Sequence, residues 1–448
     1  MKIKLSNDYK DLKKFNRFNI LKDYGIVLLK ETVEEFFNCE VSFLYEPSIQ
    51  ADKNFGLKVL DTPQRGCYPI DDDTFFIFIR IISSNEVISG LGVILNGKNI
   101  SEHTKFLNSF EGALTGKLSQ SFFKGFDDGS MILGDDLITH AICNYCIRGY
   151  IDYRRFHHLI NYFLKLKNTT FESESFSTGL IVTKSFHAYS KKGEEERSGT
   201  LHSLTKNENI SSSLVPNRRF WYLVDGKHTF YVANKDLEIR NLFVLDESYN
   251  NLDYLDNNTL SSTLKGGDVL FKIENEKQFS IINSDGVEFL CLENRWRIRN
   301  YNLIKTLISE VIPDSETVNI ILFYILHCSK NAISSVIWIP NDIGSVSELV
   351  KPETLNKLID ESISIQDKRY SNHIMRYLSS DGATIIDKNG YLNYFGCIVD
   401  MKNLEIKGVK GTGESAAKVL ASNGLSIKIS QDGTIKLFIK NNEQPVII

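Results

Sequence analysis

The stretch KGVKGTGESAAKVLASNG, residues 407–424, carries the glycine spacing of a phosphate-binding loop. Gly408, Gly413 and Ser415 fit the pattern G-x-x-x-x-G-K-[S/T], but Glu414 stands in the lysine position. A working loop of that kind needs a lysine that reaches the β/γ-phosphates, a buried strand before it and a downstream acid for Mg2+. Here the preceding MKNLEIKGVK is polar, and no apolar strand ending in Asp follows. That chemistry fails. A more general one survives: Gly408, Gly411 and Gly413 lead into a helix starting near Thr412, and a helix N-terminus offers free N–H groups and a positive dipole end to phosphate. The competing account is a glycine-rich cap, with Thr412 as N-cap and Glu414 complementing the dipole. On this segment alone the cap is the better account.

The order of segments around the loop changes that weighing. ETVNIILFYILHCSKN (316–331), SSVIWIP (334–340), SSDGATIIDKNGYLNYFGCIVD (379–400), GTGESAA and LSIKISQDGTIKLF follow one another along the last third of the chain. Asp381-Gly382-Ala383, the frame Gly411-Thr412 with Ala416-Ala417, and Ser430-Gln431-Asp432-Gly433 occur in that order. Over roughly 300–442 this resembles the catalytic domain of the diadenylate cyclase family. The hallmarks of that family are D-G-A at a strand start, G-T-R-H-R-A-A at a helix start, and S-E-E-T-G after the next strand.

The resemblance implies joining of two ATP molecules into cyclic di-AMP, or a related cyclic dinucleotide, in a nucleotidyl transfer that uses Mg2+ or Mn2+. The 3′-hydroxyl of one ATP attacks the α-phosphate of a second, facing ATP, so a homo-oligomer with facing cyclase domains is implied as well. Asp381 would hold the metal and help polarise the hydroxyl, which needs a carboxylate close to the reacting oxygen. Gly382 and Ala383 would admit the adenosine, and the turn Gly411, Thr412, Gly413 to Ser415 would face the triphosphate, with Ser430 nearby. The sequence departs from the family at Gly413-Glu414-Ser415, which replaces Arg-His-Arg. Those charges hold a triphosphate of about four negative charges through charge-assisted contacts. Two alternatives stand. Glu414 coordinates the metal while Lys407, Lys410 or Lys418 supplies positive charge, or the domain has lost catalysis and remains a nucleotide-binding sensor module. The S-E-E motif also loses a carboxylate, since Gln431 takes one of its positions.

Other constellations are weaker. Cys143-x-x-Cys146, with His140 before it and His157-His158 after it, has the residue types of a zinc site. It sits in a helical pattern, without a second ligand pair at zinc-site spacing, so core cysteines are expected. ENRWRIRN (293–300) puts Arg295, Arg297 and Arg299 on one face of an extended run. With 52 Lys and Arg against 56 Asp and Glu, the chain has a net charge of −4 and no concentrated basic face for nucleic acid. Trp296 is therefore expected to pack near a domain boundary, and YRRFHH (153–158) to form a solvated helix face.

These residues must be positioned by elements the pattern foretells. Helices are expected at 29–37, at 137–167 with a break near Gly149, at 316–331, 354–363 and 368–379, and from Thr412 to Asn423-Gly424. TFFIFIRIIS (74–83) and EVISGLGVIL (86–95) read as a hairpin. Short strands dominate from about 175 to 296, interrupted by a polar loop at 190–213. Asn389-Gly390 marks a tight turn within 382–400, and 425–440 forms a final strand pair. The expected class is α+β, or mixed α/β. Its domains are 1–170, a strand-rich sensor-like 171–298, and a nucleotide-binding 299–448. At 448 residues and 42% hydrophobic, the chain has material for several cores. Seven scattered cysteines and the lack of a long uncharged apolar run lead to the expectation of a cytoplasmic protein bound to neither membrane nor nucleic acid.

Overall fold

The computed structural model describes residues 24–46, 66–83, 86–97, 100–124, 134–147, 151–184, 199–210, 217–245, 257–292, 294–357, 361–401, 411–439 and 445–448. The chain forms two compact units, one of residues 1–250 with 261–299 and the other of 251–260 with 300–448. The class is mixed α and β, with antiparallel and mixed sheets.

In the N-terminal unit the expected hairpin forms between Thr74–Ser83 and Glu86–Asn96. It is extended by Glu40–Glu46 and Cys67–Pro69 into a four-stranded antiparallel sheet. An eight-stranded sheet follows, in the order Arg295–Asn300, Val287–Leu292, Gln278–Asn283, Val269–Asn275, Thr178–Val182, Thr229–Ala233, Glu238–Leu245, Gly199–Asn209. The division expected near residue 170 does not separate two cores. One buried cluster runs from Val33 to Ile298, because Phe156 and Phe163 of the helix Tyr153–Lys167 pack on Phe271 and Phe279 of the larger sheet. The 137–167 helical stretch is two helices, Gly134–Ile147 and Tyr153–Lys167, the second capped by the Asp152 carboxylate accepting from the Arg154 and Arg155 amides. Part of the expected polar loop at 190–213 is strand: Gly199–Asn209 pairs with Glu238–Leu245, its polar side chains lying on an exposed edge.

The C-terminal unit is built on a seven-stranded mixed sheet, ordered Ile363–Ser364, Tyr391–Cys397, Ala383–Ile386, Ser335–Pro340, Gly424–Ile429, Ile435–Ile439, Val446–Ile447. Alternation along the strands sorts side chains to two faces. Ile337, Ile339, Ile427 and Ile429 face the helices Tyr301–Ser309, Ser315–Lys330 and Ser371–Leu378. Val336, Trp338, Ala383, Ile385 and Phe438 face the helix Thr412–Leu420 through Ala417 and Leu420. The helix expected at 354–363 is absent from the described residues there. A 3-10 turn, Pro352–Thr354, ends at Leu355, Asn356 bridges to Phe395, and Ile363–Ser364 is a sheet-edge strand. Proline fixed the start of that turn, and pairing with the sheet edge outweighed helical propensity in the residues after it. Among the described residues no helix is long and apolar enough to cross a membrane.

Candidate functional site

The register of the C-terminal sheet brings the three motifs to one end of it. Ser335–Pro340 is the shared neighbour: Val336 pairs with Ala383 of the parallel strand on one side and with Lys428 of the antiparallel strand on the other. Two strand spacings put Ala383 and Lys428 about 10 Å apart across the sheet. Asp381 and Gly382 lead into Ala383, and Ser430–Gly433 is the turn directly after Gly424–Ile429. The helix Thr412–Leu420 runs antiparallel to that strand and begins at the same end, with Gly413 against the Lys428 side chain.

Asp381 is exposed, and its Oδ1 accepts the Gly382 amide at 3.0 Å. Gly382 has φ +95°, and a Cβ there would lie 2.6 Å from the Gly396 carbonyl carbon and 2.8 Å from the Cys397 oxygen. Two backbones meet at that point, so a glycine is required by the sheet itself. Ala383 is 1% exposed and packs in the layer with Trp338 and Ala417, so it belongs to the core and contradicts the expectation that it admits the adenosine.

Gly411, at φ +97°, is the residue before the helix, which begins at Thr412 without a side-chain cap. The N-cap is therefore Gly411 and not Thr412, and the amides of the first turn are left to other partners. Thr412 is exposed. Ser415 donates its hydroxyl to the Gly411 carbonyl at 3.0 Å. Glu414 has a partner that motif comparison did not offer: Lys436 donates to its Oε2 at 2.7 Å, with side-chain exposures of 21% for the lysine and 17% for the glutamate. Lys428 donates to Ser334 Oγ at 2.6 Å, and its Nζ would lie 3.2 Å from a Cβ at Gly413. Burial holds the Lys428 ammonium below the usual lysine range, the Glu414 charge partly opposing it.

Lys428 and Lys436 are cross-strand partners on one face. They place two ammonium groups beside the turn at Gly413-Glu414-Ser415. The sequence carried a signal for them: a hairpin turning at Gln431-Asp432-Gly433 makes Lys428 and Lys436 equidistant from the turn. In that turn the Ser430 amide donates to Thr434 O at 2.9 Å, while the Gly433 amide donates to Ser430 O at 3.0 Å. Lys418 is half-buried, one turn beyond Glu414. Lys407, Gly408 and Lys410 lie outside the described residues.

The other sequence candidates resolve separately. In the N-terminal unit Cys143 and Cys146 are buried in the core, and burial pushes the Cys143 thiol up. Trp296 is buried and donates to Thr139 Oγ1 at 3.2 Å. Arg295 and Arg297 reach Glu35 at 2.8 and 3.6 Å, and Arg299 reaches the buried Glu288 at 3.8 Å. These arginines are structural ion pairs. In YRRFHH, Phe156 is buried and Arg155 pairs with Asp236.

No protein-family model and no curated protein matches the chain. Among solved structures, a double mutant of DacA from Staphylococcus aureus matches at 15% identity and a TM-score of 0.24, over 30% of this chain and 87% of that chain. A likeness of that size carries no argument about activity. The chemistry has to come from the residues gathered at the sheet end.

Proposed function

We propose that residues 300–448 bind ATP or a related nucleotide at this sheet end and act as a diadenylate-cyclase-like nucleotidyltransferase, controlled by the N-terminal unit. The observation that carries the reading is the convergence on one edge of Asp381, the helix start at Thr412, the Ser430–Gly433 turn, and the lysine pair Lys428 and Lys436. A charge-assisted contact from Lys428 and the open amides at Thr412 and Gly413 would answer part of the charge of a triphosphate, with Lys436 balancing Glu414. The motif's lost arginines are thus replaced from the neighbouring strands.

Asp381 fits Mg2+ or Mn2+: its carboxylate is exposed, Oδ1 accepts the Gly382 amide while Oδ2 has no hydrogen bond among the described residues, and hard oxygen ligands suit these ions. A divalent ion there would neutralise phosphate charge and polarise the attacking hydroxyl. Glu414 holds Lys436 through Oε2, so Oε1 is the oxygen it would offer such an ion. In the reaction, a 3′-oxygen forms a bond to the α-phosphorus of a facing ATP as pyrophosphate leaves, so two domains must meet face to face. Asp381 would orient the hydroxyl and hold its departing proton, while Lys428 would hold the phosphates.

A second reading has its own observation. Glu414 pairs with Lys436 at the helix start, so a carboxylate stands where the first reading puts phosphate, which suits a domain that binds nucleotide without turning it over. Incubating the full chain with ATP and Mn2+ and analysing products by mass spectrometry separates the two. A cyclic dinucleotide and pyrophosphate, absent with Asp381→Asn, are the expected result. Binding without product selects the sensor, and absence of both overturns the nucleotide site.

A further inference from the structure

A second cluster lies in the N-terminal unit, on a face of two helices that the nucleotide reading does not use. Asp136 and His140 sit one turn apart on the helix Gly134–Ile147, and His157 faces them from the helix Tyr153–Lys167. One ligand atom from each falls within 4.8 Å of the others, and all three residues are partly exposed. Spacing of four residues is what puts a carboxylate and an imidazole on one side of a helix. The sequence showed His140 and His157 beside a C-x-x-C pair; folding turns Cys143 and Cys146 into the core and leaves the histidines outside it.

We propose that Asp136, His140 and His157 bind a divalent transition-metal ion of the zinc, cobalt or nickel kind. Two imidazoles with one carboxylate are a donor set for these borderline ions, and not for Mg2+ or Ca2+, which take oxygen. Metal–nitrogen and metal–oxygen bonds of about 2.0–2.2 Å need ligand atoms about 3.4 Å apart. His140 Nε2 is already 3.5 Å from Asp136 Oδ1. The His140 and His157 rings stack at 4.9 Å between centroids with an 18° angle, and Tyr153 stacks on both, so the ring nitrogens converge on one ion by side-chain rotation. Asn161 lies 3.2 Å from His157 Nδ1. Its amide can be turned so that the carbonyl accepts from Nδ1–H, which leaves the other ring nitrogen with its lone pair for metal. Three protein ligands at a half-exposed face leave a position for water or an incoming group, unlike the four-ligand closure of a structural zinc site.

Cobalt titration of the metal-free full chain tests this, because its visible spectrum distinguishes nitrogen and oxygen ligands from thiolate. One Co2+ per chain is expected, without a sulfur-to-metal charge-transfer band despite the seven cysteines. His140→Gln and His157→Gln should each weaken binding roughly a hundredfold, and Asn161→Ala about tenfold. Both histidine variants keep a polar side chain on a helix face, and their melting curves are read alongside. Should either unfold, Asp136→Asn serves in its place. No cobalt binding, a thiolate band, or unchanged affinity in natively folded variants overturns the site.

Discussion

Glu414 shows how a residue changes meaning when its neighbours are known. Beside the motif it read as a metal ligand or a dipole-complementing cap; in the fold it holds Lys436 at 2.7 Å and lies close enough to Lys428 to act on its charge. Glu414→Gln releases one lysine and removes a negative charge from the helix start, where the proposed site would hold phosphate. ATP should then bind about tenfold more tightly without metal, a gain of roughly 1.4 kcal/mol. Titration calorimetry reads this directly, and weaker binding in Mn2+ would instead assign Glu414 to the metal. Asp381→Asn should abolish product while changing stability by less than about 0.5 kcal/mol, since the side chain is exposed and bonds the adjacent amide. Product assay and denaturant melt together check it. Asp381 was legible because its motif is contiguous. Lys428 and Lys436 were missed, because their equal spacing from the Gln431-Asp432-Gly433 turn makes them neighbours only once the hairpin register is set.

Elements were most legible where one signal governed them. The buried helix Ser315–Lys330, the strand Ser335–Pro340, and the tight turn with Gly390 at φ +79° follow from apolar runs and turn residues. The segment after Pro352 misled because its local propensity is helical while its partner, the Tyr391–Cys397 strand, is distant in sequence. Gly382 is where an element depends on one residue. Gly382→Ala forces a side chain into positive φ and against the Gly396–Cys397 backbone, so it should destabilise the C-terminal unit by about 3 kcal/mol or more. A loss within 0.5 kcal/mol would contradict the close backbone approach. In the N-terminal unit Asp225 organises its own loop. Burial raises the pKa of its carboxyl, but the amides of Thr229, Lys227 and His228 and the Thr229 hydroxyl outweigh that and hold it below the usual carboxylate range. A depressed native pKa contributes stability that is present above the unfolded value and lost as pH falls through the native one. The deficit of Asp225→Asn, measured by urea melts, should therefore be full at neutral pH and vanish in strong acid.

At the scale of the whole molecule, the compact units divide at Arg299 and Asn300, next to the change in sequence pattern after Trp296. The single buried cluster from Val33 to Ile298 was not legible in the sequence, because it depends on Phe156 and Phe163 meeting strands more than a hundred residues later. Residues 300–448 expressed alone should melt cooperatively, having their own two-faced core, though residues 251–260 belong to the same unit and their removal should lower the midpoint. Lys428→Met is the most direct test of the proposal that Lys428 supplies phosphate-binding charge beside the glycine turn. Burial disfavours the Lys428 ammonium in the fold, so removing the charge should leave stability equal or higher. The same change should remove a charge-assisted contact and weaken ATP binding in Mn2+ about tenfold or more. Calorimetric titration of the two full-length proteins gives the answer: lost affinity in a protein as stable as the parent is the predicted result, and unchanged ATP affinity would contradict it.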